Sequence, residues 1–325
     1  MILYVFKRIL IMALLLLGVS FLTFWLMHAT PGNFFDALKL NPQVSQETIE
    51  RYERIYGLDK PFLTQYWHWL SNACRGEFGY SFYYNVPVSS LILGRMGNTF
   101  ILSFAALFFT WVLAIPLGVW AALNHNRWID KFLSVISFAA LSTPSFFLAM
   151  LLLYMFSQWG VLPLGGMHSA NYQDLSWLAK CADLFKHLVI PTLVLSLASM
   201  ASLQRIMRGN MLSVLRQQYI TAARAKGLPE NRIIYRHALK NAFNPMVTLL
   251  GYELSGLLSG AALIEIICSW PGLGTLMLTA VRSKDVYVVM ANLLLVSSLL
   301  LVGNLLADIA LVRLDPRIRY AKNQA

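Results

Sequence analysis

Long stretches without a charged side chain constrain this chain more than any other feature of its sequence. A run of about 18 or more apolar residues is long enough to cross the ~30 Å hydrocarbon layer of a bilayer as a helix. A mean hydropathy of +0.59 excludes an ordinary soluble domain. The sequence therefore predicts an all-α membrane protein with six transmembrane helices. The six runs are Ile9–Met27, Met96–Asn124, the first part of Phe132–Met167, Leu188–Gln204, Phe243–Cys268 and Val286–Ala307.

The first apolar run has two interpretations. Lys7 and Arg8 precede it, as basic residues precede a secretory signal. The run is longer than the apolar part of a signal, however, and the MHATPGNFF that follows has no small-residue cleavage pattern. We therefore interpret residues 1–28 as a cytoplasmic N-terminus and the first transmembrane helix.

The distribution of Lys and Arg predicts the topology, because cytoplasmic loops of membrane proteins are enriched in both. If the N-terminus is cytoplasmic, sixteen of the 26 basic residues fall on the inner side, together with four carboxylates. The other ten basic residues fall on the outer side, together with nine carboxylates. Both termini are thus predicted to be cytoplasmic. The same asymmetry explains most of the net charge of +11 without a nucleic-acid partner.

Residues 29–95 are predicted to form an external loop with amphipathic helices. In QVSQETIERYERIYG, Ser45 is a suitable N-cap and Gly57 a suitable helix end. Pro61 then permits a second helix to begin. Two interpretations stay open for this loop: an anchor at the membrane interface, and a docking surface for an external partner. The residues of the second helix at helical spacing are Leu63, Tyr66, Trp67 and Leu70.

The inner segment 208–242 contains the densest basic run and is predicted to be a helical hairpin. Tyr219–Lys226 is rich in helix formers, and Gly227 permits the left-handed conformation that ends a helix. Pro229 suits the start of a second helix. Basic helical hairpins also bind DNA, but apolar runs on both sides leave this one little freedom to reach a groove, so no nucleic-acid partner is expected.

The sequence carries no pattern for catalysis. It has no G-x-x-x-x-G-K-[ST] phosphate loop and no Gly-Lys pair, and its six histidines are scattered. No HExxH motif or cysteine pair provides metal ligands. We therefore expect no catalytic residue, no metal and no cofactor in this chain. The sequence does not predict an enzyme.

Glu253 interrupts the fifth apolar run. An ionisable group costs at least ~2.5 kcal/mol at the centre of a membrane helix and usually faces protein or a water-filled path. Two interpretations stay open: a position on a translocation path, and a carboxyl hydrogen-bonded to a neighbouring helix.

Seven stretches, in order along the whole chain, resemble recurrent stretches of one family. They are HATPGN, YGLDKPFLTQYWHWL, GEFGYS, LSTPSFFLA, YITAARAKGLPENRIIYRHALKNAFNP, IEIICSWPGLGTLM and DPRIRY. The family is the dipeptide/oligopeptide/nickel group of bacterial ABC-importer permeases. The fifth stretch is similar to the EAA loop of these permeases.

Thr221, Ala222 and Ala223 fall where the family loop has Glu-Ala-Ala, and Gly227 falls on its glycine. Thr221 departs from the glutamate, so a contact through that carboxylate is not expected here. The resemblance implies that this loop lies in a groove of a separate ATPase subunit. The residues implied in this coupling are Thr221, Ala222, Ala223, Arg224, Lys226, Gly227 and Leu228.

The resemblance also implies an architecture and partners. Residues 96–325 would form a type I ABC-importer permease core with five transmembrane helices, lining a path for peptides or similar small solutes. The implied partners are a second homologous permease, two cytoplasmic subunits that bind ATP-Mg and an external solute-binding protein, at the bacterial inner membrane. The alternative is an ion-coupled secondary transporter or a channel with Glu253 as its relay, which would leave the 219–241 hairpin unexplained.

Overall fold

A computed structural model describes residues 2–32 and 59–314 and the single positions 47, 51, 54 and 57. The side chains of residues 2–5, 247–248, 251–252, 254–260, 307 and 310–314 are outside this description. Within the described residues the elements are helical, and Tyr80 and Pro87 form an isolated β-bridge. Most of the helix predicted from Ser45 to Gly57 and the whole of the terminal DPRIRY stretch lie outside the described residues.

The helices follow the apolar runs of the sequence. Short elements also occur, namely a 3₁₀ turn at Tyr172–Asp174 and a π-helical segment at Ile233–Ala238. The α-helices are α1 (Ile2–Ala29), α2 (Phe62–Ala73), α3 (Val88–Leu123), α4 (Trp128–Ser142), α5 (Ser145–Trp159), α6 (Trp177–Leu215), α7 (Gln218–Ala225), α8 (Glu230–Arg232), α9 (Leu239–Ile267), α10 (Leu273–Arg282) and α11 (Val286–Leu314).

Four helices in the described part of the chain are long and apolar enough to cross a membrane. They are α1 over Phe6–Ala29, α3, α6, and α11 over Val286–Leu306. If the bent pair of α4 and α5 is a single span, these residues contain five candidate membrane spans. The fifth predicted run, Phe243–Cys268, is occupied by α9, a helix of 29 residues. The all-α membrane architecture is confirmed, whereas the number of crossings and the side of the termini stay predictions.

The third apolar run is broken, although the sequence predicted it as one continuous crossing. α4 ends at Ser142 and α5 begins at Ser145, and the two helices are bent by 105°. Pro144 explains the break, because a proline disfavours the helical conformation in the residue before it. Thr143 is accordingly extended, with φ −90° and ψ 123°. In contrast, Pro116 and Pro191 lie inside the continuous helices α3 and α6.

The chain divides into two compact units. Unit 1 comprises Met1–Thr99 and Pro271–Leu301, and unit 2 comprises Phe100–Trp270 and Val302–Ala325. In unit 1 a buried carboxylate, Asp285, accepts hydrogen bonds from the Ser81 hydroxyl (2.6 Å) and the Tyr83 N–H (3.1 Å). These bonds fix part of the predicted external loop to the start of α11.

The second predicted loop helix is confirmed as α2, preceded by Pro61. Of the residues noted at helical spacing, Tyr66 is buried whereas Leu63 and Trp67 are exposed, and Trp69 is buried in addition. The Tyr66 hydroxyl lies 2.9 Å from the Ser20 hydroxyl of α1. The Trp69 Nε1–H donates to the Phe78 carbonyl (3.3 Å), so each of these two buried side chains also makes a hydrogen bond.

Unit 2 contains the largest apolar core, in which α6 packs against α3, the π-helical segment and α9. The approach of α3 to α6 is very close at Gly118. A Cβ built there would lie 2.7 Å from the Gln204 carbonyl oxygen and 2.7 Å from the Met207 Cβ. A hydrogen bond from the Ser137 hydroxyl to Gln204 Oε1 (3.0 Å) joins α4 to the same helix.

Candidate functional site: the 219–241 hairpin

The hairpin predicted at residues 219–241 is a helix, a tight turn and a second helix. α7 ends at Ala225, and Gly227 adopts a positive φ of 74°. The chain becomes helical again at Glu230, after an extended Pro229. The predicted order of helix, break and helix is confirmed, with the break at the predicted glycine.

Two backbone hydrogen bonds close the turn. The Leu228 N–H donates to the Ala223 carbonyl (3.3 Å), and the Gly227 N–H donates to the Arg224 carbonyl (2.9 Å). Together with the left-handed residue at 227, these bonds form a Schellman motif. A Cβ at Gly227 would meet no atom within 4 Å, so conformation and not space favours glycine here.

An ion pair spans the turn. Arg224 donates from Nη2 to Glu230 Oε1 (2.6 Å) and from Nε to Oε2 (3.2 Å). Hydrogen bonding to Arg224 lowers the pKa of the Glu230 carboxyl, and the same bonds raise the pKa of Arg224. Because both side chains are about half exposed, solvent screens the pair and its contribution to stability is small.

The base of the hairpin is buried in the core of unit 2. Ile220, Ile233 and Ala238 are each fully buried and pack with Met207 and Met211 of α6. At the open end, Asn241 Nδ2 donates to the Tyr219 hydroxyl (3.0 Å). The hairpin is therefore fixed to the long helices on both sides of it and is not a loose linker.

The predicted coupling residues divide into an outward and an inward set. Ala223 and Leu228 are half-buried and pack against the core. Ala222 and Ala223 thus face different surroundings, and Ala222 is the alanine that a partner can reach. The exposed residues are Thr221, Ala222, Arg224, Lys226 and Gly227.

The π-helical segment Ile233–Ala238 has no counterpart in the predictions. Hydrogen bonding from residue i to i+5 places one extra residue in the turn and so brings Ile233 and Ala238, five positions apart, onto one buried face. The buried isoleucines are the sequence signal, but their spacing fits an α-helix as well. The packing against α6 decides between the two.

Glu253 lies in α9 and is half-buried. Most side chains around it along the helix are outside the described residues, so the two interpretations of this carboxyl stay open. Among the described residues, no group of three or more His, Cys, Asp or Glu is placed to hold a metal ion.

Comparison with known sequences identifies the family. Residues 114–320 match the family described as "Binding-protein-dependent transport system inner membrane component". Residues 1–103 match its N-terminal counterpart. The chain belongs to this family. It is therefore a multi-pass permease component of a binding-protein-dependent ABC transporter, and the resemblance found in the sequence is confirmed.

Two relatives cover this permease almost completely. The oligopeptide transport system permease protein AppB of Bacillus subtilis (strain 168) is 37% identical over 98% of this chain and 99% of its own. The glutathione transport system permease protein GsiC of Escherichia coli (strain K12) is 34% identical over 98% of this chain and 99% of its own. Both names describe transport subunits, which agrees with the expectation of a transport role for the permease.

A solved structure shares the fold of the permease. It is described as "Crystal structure of an amino acid ABC transporter with histidines", with a TM-score of 0.51 and 17% identity over 69% of this chain and 94% of that one. At this identity the likeness concerns the fold alone. It supports the helical fold expected from the apolar runs.

Proposed function

We propose that this permease lines the translocation path of an ATP-driven bacterial importer for peptides or peptide-like solutes, and that its 219–241 hairpin is where the ATPase subunits dock. The observation that carries the proposal is the hairpin itself, an exposed turn on a buried base. The names of the two relatives, an oligopeptide permease and a glutathione permease, favour solutes with peptide bonds.

The hairpin suits the transmission of force. A partner that moves the exposed α7 also moves Ile220, which packs against α6, and Ile233, which leads into α9. A flexible loop would absorb such a displacement, whereas a packed base passes it to the long helices. Driving a two-state rearrangement nearly to completion requires about 5.5 kcal/mol of preferential binding, which ATP on the partner subunits would supply.

The exposed face of α7 supports close docking. Ala222 and Thr221 have small side chains and Gly227 has none, so a groove in a partner can approach the backbone. Lys226 stands beside these positions as an exposed cation, which favours an acidic rim on the partner. Thr221 replaces the family glutamate and removes one carboxylate from this face.

The rest of the assembly follows the family. We infer a second homologous permease across the path, two ATPase subunits that bind ATP-Mg, an external solute-binding protein and a location in the bacterial inner membrane with both termini cytoplasmic. This chain contributes no phosphate loop, so nucleotide binding is assigned to its partners.

Docking is tested by adding one charge at the exposed alanine. In the assembled transporter, Ala222→Asp places a carboxylate in the contact, and we expect at least about a tenfold loss of ATPase co-purification and a comparable loss of uptake. The matched control is Ser213→Asp, an exposed position on α6 outside the hairpin, with unchanged amounts of permease in the membrane. Normal co-purification of Ala222→Asp would refute the docking assignment.

Glu253 is proposed to face the path. Glu253→Gln removes the charge with little change in shape, so we expect altered uptake of at least one solute or an altered pH profile of uptake. Wild-type transport at every pH and with every solute would instead favour the hydrogen-bonded structural role.

A further inference from the structure

A cavity of about 500 Å³ with a mixed polar and apolar lining lies between α4 and α6 in unit 2, apart from the hairpin. Two of its lining residues are arginines, two are serines, and none is acidic. Such a lining offers several hydrogen-bond donors and contains no carboxylate of its own, which is the chemistry that binds a phosphate group. The lining residues are Ser134, Phe138, Ser202, Arg205, Ile206 and Arg208.

Arg208 is held in place by a buried carboxylate. It donates from Nε to Asp130 Oδ1 (2.5 Å) and from Nη2 to Asp130 Oδ2 (2.7 Å), and Asp130 is 3% exposed. The Asn126 N–H also donates to this carboxylate (2.9 Å). Arg208 is thereby fixed before any ligand arrives, and its Nη1 group has no hydrogen bond to another described residue.

Arg205 supplies a second positive charge, which Asp130 does not neutralise. Its guanidinium carbon lies 4.4 Å from the centre of the Phe138 ring. In the described part of the chain no carboxylate pairs with Arg205, and the neighbouring Ser202 hydroxyl has no hydrogen-bond partner there either. The cavity thus keeps one uncompensated positive charge and free donors around it.

The surface beside the cavity is apolar and suits lipid chains. Val135 and Leu141 lie three residues before and after Phe138 on α4, and the three side chains are 67%, 42% and 54% exposed. Residues three apart are neighbours on a helix surface. An anion bound in the cavity would therefore have an exposed hydrocarbon surface next to it.

The depth of the cavity also fits a lipid headgroup. Ser134 is about 9 Å along the helix axis from Trp128, the first residue of α4. Trp128 is 72% exposed and stacks on Phe132 at 5.3 Å, and exposed tryptophans are enriched at membrane interfaces. The exposed Arg127 and Lys131 add positive charge at this end of α4, which is predicted to face the cytoplasm.

We propose that this cavity binds the phosphate of an anionic phospholipid headgroup, with the acyl chains lying along Val135, Phe138 and Leu141. Arg205 and the Nη1 group of Arg208 donate to the phosphate oxygens, and Ser202 adds a hydroxyl donor. A free phosphate ion offers the same oxygens but leaves the apolar surface of α4 unused. None of the lining residues belongs to the predicted coupling set or is Glu253.

The test measures lipid binding to the purified full-length chain in detergent by native mass spectrometry. Phosphatidylglycerol is compared with zwitterionic phosphatidylcholine, and inorganic phosphate is titrated separately. Removing one lipid-facing cation weakens binding about fivefold, so Arg205→Gln is expected to lower phosphatidylglycerol affinity by about that factor. The matched control is Arg216→Gln, which removes the same charge from an exposed position at the end of α6 and is expected to change nothing.

The outcomes separate the lipid from the free ion. Preferential binding of phosphatidylglycerol that falls in Arg205→Gln and not in Arg216→Gln supports the proposal. Equal affinity in wild type and Arg205→Gln overturns it. Saturable binding of inorganic phosphate without any preference for phosphatidylglycerol also overturns it, because the ligand would then be a soluble anion.

Discussion

Two arginine–carboxylate pairs in unit 2 have the same hydrogen-bond geometry and opposite surroundings. Arg224 and Glu230 bridge the hairpin turn with side chains 46% and 53% exposed. Arg208 and Asp130 join α6 to α4 with side chains 26% and 4% exposed. Water competes for the hydrogen bonds of Arg224 and Glu230. In the other pair, Asp130 is buried, and Arg208 is the main group that compensates its charge. Burial, and not the number of hydrogen bonds, therefore decides how strongly each pair holds its helices.

The hairpin is supported by its backbone as well as by its ion pair. Its turn is closed by backbone hydrogen bonds around Gly227, and its base is packed by Ile220 and Ile233. The Arg224–Glu230 pair is added to a turn that is already formed. Three substitutions test this difference, in order of decreasing effect.

Asp130→Asn is expected to have the largest effect. It leaves Arg208 without its counter-charge in a largely buried position, and breaking one partner of such a pair costs about 3–5 kcal/mol. The free energy of unfolding in detergent, measured by urea titration, should fall by an amount in this range. The double variant Asp130→Leu with Arg208→Met should recover much of the loss, because it removes both charges. A single variant as stable as wild type would show that solvent, not Asp130, compensates Arg208.

Substitution of Gly227 is expected to have an intermediate effect. Gly227→Val forces a β-branched residue into a left-handed conformation, at a cost of about 1–2 kcal/mol. Gly227→Asn retains a residue that tolerates this conformation and should lose clearly less. Both are measured by urea unfolding and by ATPase co-purification. Equal losses in the two variants would mean that the absence of a side chain, and not φ, matters at this turn.

Glu230→Gln is expected to have the smallest effect, below about 1 kcal/mol. Since Arg224 lowers the pKa of Glu230 in the folded protein, the contribution of the pair is fully present above the unfolded carboxyl pKa of ~4.3. It is lost as the pH falls through the lowered folded pKa. Stability measured between pH 7 and pH 5 should therefore show the same small difference between variant and wild type. If the difference in stability grew between pH 7 and pH 5, a group other than Glu230 would be titrating.

The sequence predicted the parts of this permease that depend on local patterns. Uncharged apolar runs located the long helices, because a helix satisfies its backbone hydrogen bonds within a single membrane segment. Gly227 between helix formers located the hairpin turn, because few other residues adopt a positive φ. The coupling role of the hairpin rests on the family resemblance and stays a prediction.

The features that the sequence did not predict depend on distant contacts. Asp130 and Arg208 are 78 positions apart, and no local signal pairs them. The π-helical segment depends on packing of Ile233 and Ala238 against α6. The break after Ser142 did have a signal in Pro144, but Pro116 and Pro191 are tolerated inside helices, so proline alone does not tell a break from a tolerated position.

The contact at Gly118 has a genetic consequence. Since a Cβ there would fall 2.7 Å from a backbone oxygen of α6, even alanine, the smallest replacement, must push two transmembrane helices apart. If codon 118 were randomised and cells were selected for uptake, the surviving clones should encode glycine. Codon 227, where no atom is near, should also return asparagine.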